Sequence, residues 1–141
     1  MTPVPAMPTD HAGMEVMTRA ECDNMLATTP VGRVAFRADG EIQVLPVNYA
    51  WVDGTIVFRT AAGAKLEAAA RLEPFAFEID GWDAATHTGW SVLVKGTSME
   101  VLDDDALSAL ASTHLRPWSG AVDKRRWVRI RPDEITGRKI V

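Results

Sequence analysis

Val31-Gly-Arg-Val-Ala-Phe-Arg-Ala-Asp-Gly-Glu-Ile-Gln-Val-Leu-Pro-Val-Asn-Tyr-Ala-Trp-Val-Asp-Gly-Thr-Ile-Val-Phe-Arg-Thr60 is the stretch that decides the fold class. Three runs rich in β-branched and aromatic residues, Val31–Arg37, Ile42–Trp51 and Thr55–Thr60, are separated by Asp39-Gly40 and Asp53-Gly54. Asp-Gly accepts the positive φ angles of a tight hairpin turn, so the spacing predicts three successive antiparallel strands. Working outward, Phe75–Ile79, Trp90–Leu102 and Arg126–Arg131 carry the same composition, the last ending at Pro132. Six short strands with few helices between them predict a closed or nearly closed antiparallel barrel. A parallel sheet needs a crossover helix between most strands, and the spacing leaves no room for them.

Three short helices are predicted at the ends and corners. Thr18-Arg-Ala-Glu21 fits a capping box, in which threonine and glutamate side chains satisfy the free backbone donors of a helix start. That helix is expected to bury Cys22, Met25 and Leu26 and to stop at Thr29-Pro30. The other two are read over residues 64–71 and 104–111. Before the first helix, Met1 to Met17 mixes prolines and polar residues without period and reads as a flexible arm. Residues 18–141 then form one domain.

The 141 residues are 47% hydrophobic and 24% charged, which is the balance of a soluble globular chain. A net charge of −4 argues against a broad electrostatic footprint for nucleic acid or an anionic membrane, so neither is expected as a partner. No run is apolar enough to span a bilayer, and the proline-rich start does not read as a signal peptide. With a single cysteine, Cys22, no intrachain disulfide can form, and the expected compartment is the cytoplasm. Cys22 reads as a small buried helix residue rather than a nucleophile.

Chemistry concentrates in Ile56-Val-Phe-Arg-Thr-Ala-Ala-Gly-Ala-Lys-Leu-Glu-Ala-Ala-Ala-Arg71, a strand, a small-residue turn and a helix start. The first N–H groups of a helix lack intrahelical partners and lie at the positive end of its dipole. A turn of Ala-Ala-Gly63 admits an anion close to that backbone, and Lys65 adds a full charge in the first turn. The residues therefore read either as a phosphate-binding corner or as an ordinary turn carrying a solvated lysine. Pro46 inside Val44-Leu-Pro-Val-Asn-Tyr49 removes a ladder donor, which suits an edge or an opening beside Asn48. Along the strand from Trp90, Val92 and Val94 share the face of Trp90, while Ser91, Leu93 and Lys95 take the other. In the last strand Val128 and Ile130 read as core, leaving Trp127, Arg129 and Arg131 facing outward. His11, His87 and His114 have no metal-ligand spacing, and no nucleophile elbow, Walker loop or dinucleotide fingerprint occurs. No metal centre and no catalytic side chain are assigned; any reaction would belong to an organic cofactor.

Six motifs, in order, resemble the pyridoxamine 5′-phosphate oxidase-like, FMN-binding split-barrel family, in particular its small actinobacterial-type members. They are Thr-Pro-Val-Gly-Arg-Val-Ala-Phe (29–36), Val-Leu-Pro-Val-Asn-Tyr (44–49), Val-Phe-Arg-Thr-x-x-Gly-x-Lys-Leu (57–66), Gly-Trp-Ser-Val-Leu-Val-x-Gly (89–96), Arg-Pro-Trp (116–118) and Trp-Val-Arg-Ile-x-Pro-x-x-Ile-Thr-Gly-Arg (127–138). The resemblance implies a mainly β, six-stranded antiparallel split β-barrel that forms a homodimer, with one flavin in each of two interface clefts. By position it implies that Val44, Leu45, Pro46, Val47 and Asn48 line the isoalloxazine. Arg59, Thr60, Gly63, Lys65 and Leu66 would form the phosphate and ribityl corner, and Trp90 and Ser91 a strand start against the cofactor. Trp118 and Arg129 would come from across the dimer. The implied cofactor is FMN, with a deazaflavin or haem in some relatives, and the implied activity is oxidation or reduction of a small, unidentified molecule. A non-catalytic flavin- or haem-binding role is the alternative. No histidine follows His114, where true pyridoxamine phosphate oxidases carry further basic and histidine residues, so vitamin B6 oxidation is not the expected reaction.

Overall fold

Both Asp-Gly pairs form the hairpin turns that their chemistry favours: φ is 51° and 76° at Asp39 and Gly40, and 50° and 72° at Asp53 and Gly54. The computed structural model describes residues 9–10, 13–61, 63–116 and 126–140. In chain order the elements are β1 (Glu15–Val16), α1 (Arg19–Thr28), β2 (Val31–Ala38), β3 (Glu41–Asn48), β4 (Ala50–Val52), β5 (Thr55–Thr60), α2 (Ala64–Ala70), β6 (Pro74–Asp83), β7 (Thr88–Glu100), α3 (Asp104–Ala111) and β8 (Arg126–Ile140). All strand pairs are antiparallel, in the order β3-β2-β6-β7-β8-β5-β4, with β1 added to β8.

This continuous order holds seven strands rather than the expected six, because the second predicted strand breaks at Tyr49. Tyr49 turns its N–H back to the Pro30 carbonyl at 3.4 Å, and its hydroxyl donates to the Leu26 carbonyl at 2.7 Å. That carbonyl lies in the last turn of α1, and its usual helical partner would be the N–H four residues on, which Pro30 lacks. The break sends β3 to β2 and β4 to β5, so consecutive pieces of chain occupy opposite ends of the sheet. A sheet whose ends are joined by one residue must curl, and the result is a split half-barrel that opens beside β3.

The last strand does not stop at Pro132 but continues to Ile140. Lys95 pairs with Glu134 and Gly96 with Pro132, so Asp133 is the extra residue of a bulge that absorbs the missing proline donor. Strand β6 likewise runs past Ile79, and Gly81, Trp82 and Asp83 pair with Trp90, Gly89 and Thr88 in an extended hairpin.

The barrel interior is filled by alternate residues of the strands: Val34, Phe58, Phe77, Ile79, Val92, Val94, Val128 and Ile130 are fully buried. Helix α1 begins with the predicted capping box and buries Cys22 and Leu26 against this core, with Met25 half-buried beside them. Trp127 corrects the sequence reading. It does lie on the face opposite Val128, yet it is only 6% exposed, because α3 packs over it with Val57, Val101 and Leu110 in a second apolar cluster. A strand pattern reveals which residues share a face but not whether a helix covers that face. No helix among the described residues is long and apolar enough to cross a membrane.

Candidate functional site

The split is built from two strand ends. Strand β3 pairs with β2 along one edge, Pro46 opposite Arg33, and its other edge pairs with no described strand. Pro46 therefore occupies an edge strand, where a missing donor costs little. Along β3, Val47 is buried in the core, Pro46 and Asn48 are half-buried, and Val44 and Leu45 are exposed. Strand β5 ends in Arg59 and Thr60, followed by Gly63 and α2. Gly63 has φ of 153° and ψ of −166°, a region essentially restricted to glycine, and nothing lies within 4 Å of a Cβ built there. Glycine is thus required by the backbone path rather than by crowding. No side chain caps the start of α2.

Around this corner, Thr60 is 3% exposed and its hydroxyl donates to the Ala61 carbonyl at 3.2 Å. Leu66 is buried and anchors α2 on the core, while the Lys65 ammonium lies 5.8 Å from the centroid of the Phe58 ring. The Arg59 guanidinium lies 5.7 Å from the Trp127 ring centroid and donates to the Leu115 carbonyl at 3.0 Å. Asn48 donates from Nδ2 to the Arg116 carbonyl at 2.9 Å. One short segment after α3 is therefore held from both sides of the split, by β3 and by β5. Arg59, His114, Leu115, Arg116 and Trp127 line a cleft of about 400 Å³ there.

Arg129 pairs with Val57 and Met99, on the same sheet face as Arg59 and Trp127. Its Nε is buried without a hydrogen-bond partner among the described residues. A buried guanidinium N–H of this kind calls for an acceptor supplied from elsewhere.

The structure gathers Asn48, Arg59, Thr60, Gly63, Lys65 and Leu66 at or near the split. Trp90 and Ser91 are elsewhere: they are the third and fourth residues of β7, opposite Gly81 and Asp80, and Trp90 lines a different cavity, under α1. Trp118 lies outside the described residues.

The sequence reading missed a charged cluster on the outer face of the sheet. Arg33 Nη1 lies 3.3 Å from Glu78 and 3.0 Å from Asp80, and all three line a cavity of about 380 Å³ with Ala35, Val44, Ala76 and Leu93. Burial, then the neighbouring Asp80 carboxylate, raise the Glu78 pKa to about 7, and Arg33 offsets only part of this. The β2–β6 register brings Arg33 opposite Glu78, which no local pattern in either strand announces. His114 and Arg116 were missed for a similar reason, since only the packing of α3 brings them to Arg59. No group of three or more metal-ligating side chains occurs among the described residues.

The curled sheet with its opening beside β3 defines the class, a split-barrel protein. The chain belongs to the pyridoxamine 5′-phosphate oxidase family, whose model matches residues 18–139. An uncharacterized protein of Mycobacterium tuberculosis, Rv0080, is 35% identical over 131 residues, covering 89% of this chain and 84% of its own. Among solved structures, a FAD-binding protein from Mycobacterium smegmatis is 32% identical with a TM-score of 0.72, over 89% of this chain and 97% of that one. A candidate pyridoxamine 5′-phosphate oxidase from Corynebacterium glutamicum is 31% identical with a TM-score of 0.78, over 91% and 98% of the two chains.

Proposed function

We propose that this chain is a homodimeric flavoprotein that binds FMN at the split and passes hydride or electrons to a small molecule. The observation that carries the reading is that an unpaired strand edge, Val44–Asn48, and the cationic end of β5 at Arg59 bind the same short segment, Leu115–Arg116, next to the turn that leads through Gly63 to Lys65. A free strand edge offers N–H and C=O groups to the polar rim of a planar heterocycle, and the corner suits a phosphate. Likeness to a chain named as FAD-binding, at 32% identity, supports the flavin itself.

In this reading the backbone of Val44, Leu45, Pro46, Val47 and Asn48 orients the ring and Lys65 neutralises the phosphate. Thr60 and Gly63 let the phosphate approach the backbone, and Leu66 fixes α2 to the core. The bound flavin supplies the redox chemistry, accepting and giving hydride or electrons. Arg129, with its buried Nε, donates to an acceptor on the cofactor or on the partner copy. Trp90 and Ser91, remote from Arg59 within one chain, reach a flavin only across a dimer. Ile42 and Val44, 71% and 58% exposed on one face of β3, give the second copy an apolar face to cover.

The test is the visible spectrum of the purified protein, with the released cofactor identified by mass and the assembly measured by sedimentation. An oxidised flavin spectrum, the mass of FMN and a dimer are expected. Protein that takes up no flavin when FMN is supplied in excess refutes the reading, and a haem band or a deazaflavin spectrum replaces the cofactor. One second reading has its own observation. The cleft of about 400 Å³ bounded by Arg59, His114, Arg116 and Trp127 adjoins the cationic corner and has room for a further nucleotide group. If FAD is the resident flavin, its mass is recovered instead, and His114→Ala weakens FAD but not FMN.

A further inference from the structure

Two cavities, of about 380 and 370 Å³, open side by side on the outer face of the sheet and share Ala35 of β2 and Ala76 of β6. We propose, on the basis of the dimer inferred above, that a second copy of the chain docks on this face in one register. Its two-fold axis lies in the interface and runs across the strands, between Arg33–Glu78 and Ala35–Ala76, and assembly is coupled to proton release from the Arg33–Glu78–Asp80 cluster.

Strand pairing fixes which residues share this face. Directly opposite residues stand on one side of a sheet, so Pro46, Arg33, Glu78 and Leu93 form one row across four strands. Val44, Ala35, Ala76 and Lys95 form the next. The residues between the rows, among them Val34, Phe77 and Val94, are fully buried in the core. Beyond the first row comes Asp80, held by Arg33 at 3.0 Å, and beyond the second comes Arg37, opposite Ile42. One row therefore has two long charged side chains at its centre where the next has two alanines. Copies related by a two-fold axis meet through the same patch, which must be complementary to itself. The proposed axis lays each row of one copy on the other row of its partner. Arg33 and Glu78 then come down on Ala35 and Ala76 and fill the two cavities, while Leu93 packs on the stem of Lys95.

Charge selects the same arrangement. Toward one end of the face Glu78 and Asp80 share a single cation, Arg33. Toward the other end Arg37 and Lys95 are exposed and form no ion pair among the described residues. The same axis brings the acidic end of each copy to the cationic end of the other, twice in the dimer, and such complementarity fixes register. Glu78 faces Arg33 on β2 and Asp80 on its own strand. Strand β7 sets Leu93 opposite it, with Ser91 and Lys95 to either side, and β3 brings only Val44 and Pro46. Burial, then Asp80, hold its pKa at about 7 in the separate copy. The partner's cations favour the ionised form and bring that value part of the way back to the ordinary one. Assembly then releases protons, so the dimer tightens as pH rises toward and through about 7.

The test is fluorescence-detected sedimentation of the full-length protein and charge-exchanged variants. At about pH 8, Glu78→Lys and Lys95→Glu should each weaken the dimer by at least about tenfold, because each sets like charges together at both junctions. An equimolar mixture of the two variants should restore it, since the mixed pair has opposite charges at both junctions again. If Glu78→Lys does not fold, Asp80→Lys with Arg37→Glu, both at exposed positions, runs the same exchange. The wild-type Kd should rise at least about fivefold between about pH 8 and about pH 6, and Glu78→Gln should remove that dependence. Where wild type does not dissociate on dilution, the exchange rate of labelled copies reports the same changes. A dimer that neither variant weakens, or a mixture no tighter than its components, overturns the register while the dimer stands. A wild-type dimer indifferent to pH over this range overturns the proton coupling. Protein that stays monomeric at every concentration overturns this interface and the dimeric reading together.

Discussion

Replacing Tyr49 with phenylalanine removes one hydroxyl at the residue that splits the second predicted strand. The Tyr49 hydroxyl donates to the Leu26 carbonyl at 2.7 Å, in a side chain only 4% exposed. Pro30 has no N–H to offer that carbonyl, and water cannot reach it, so Tyr49→Phe leaves a buried acceptor unsatisfied. The cost expected for such a group is about 1–3 kcal/mol. In a domain of this size that lowers the melting temperature by roughly 3–12 °C. The ring itself stays, and its edge-on contact with Phe77 at 4.6 Å is kept, so packing loss should add little. Thermal and urea unfolding of flavin-free protein, followed by circular dichroism, measures the change without interference from ligand linkage. Alkaline pH gives a second signature. Burial raises the phenol pKa above its ordinary value, so the folded state keeps the proton longer than the unfolded chain does. The stability from this group is complete below about pH 10 and is lost as pH rises beyond it. Wild type should therefore weaken more steeply than Tyr49→Phe in that range. A variant within about 0.3 kcal/mol of wild type, with the same alkaline slope, would refute the claim that Tyr49 caps α1, since a lost buried bond costs more than that.

Other perturbations probe the split and the sheet. Lys65→Ala should weaken FMN by roughly tenfold to a hundredfold, the value of a charge-assisted hydrogen bond, and leave riboflavin affinity unchanged, as fluorescence titration of both ligands would show. Gly137→Ala forces a Cβ to within 2.6 Å of Cys22 Sγ, so a loss of about 1–3 kcal/mol is expected. Adding Cys22→Ala should recover part of that loss, which a double-mutant cycle in urea would reveal. Because the Glu78 pKa is raised to about 7, the folded protein binds more protons than the unfolded chain between about pH 4.5 and pH 7. Glu78 thus favours the fold fully below that window and loses this contribution as pH rises through it. The melting temperature of Glu78→Gln relative to wild type should rise with pH across the same window.

Much of the barrel was legible because strand chemistry is local. Asp39-Gly40 and Asp53-Gly54 specify their own turns, alternation in β7 assigns Val92 and Val94 to the core, and Thr18 with Glu21 caps α1 within four residues. The strand, turn and helix start that carry Arg59, Thr60, Gly63 and Lys65 were legible for the same reason, since these residues are neighbours in the chain. What only the tertiary structure decided depends on register and on covering layers. The strand count rose to seven because Tyr49 bonds to α1, 23 residues away, rather than to the ladder. The continuation of β8 past Pro132 depends on a bulge that exists only against β7. Trp127 is buried because α3 happens to cover its face, and Arg33 meets Glu78 because β2 and β6 pair in one register out of several. A side chain's face is fixed by the two-residue period of its own strand, whereas its neighbours on that face are chosen by distant segments, whose contacts leave no mark on the local sequence.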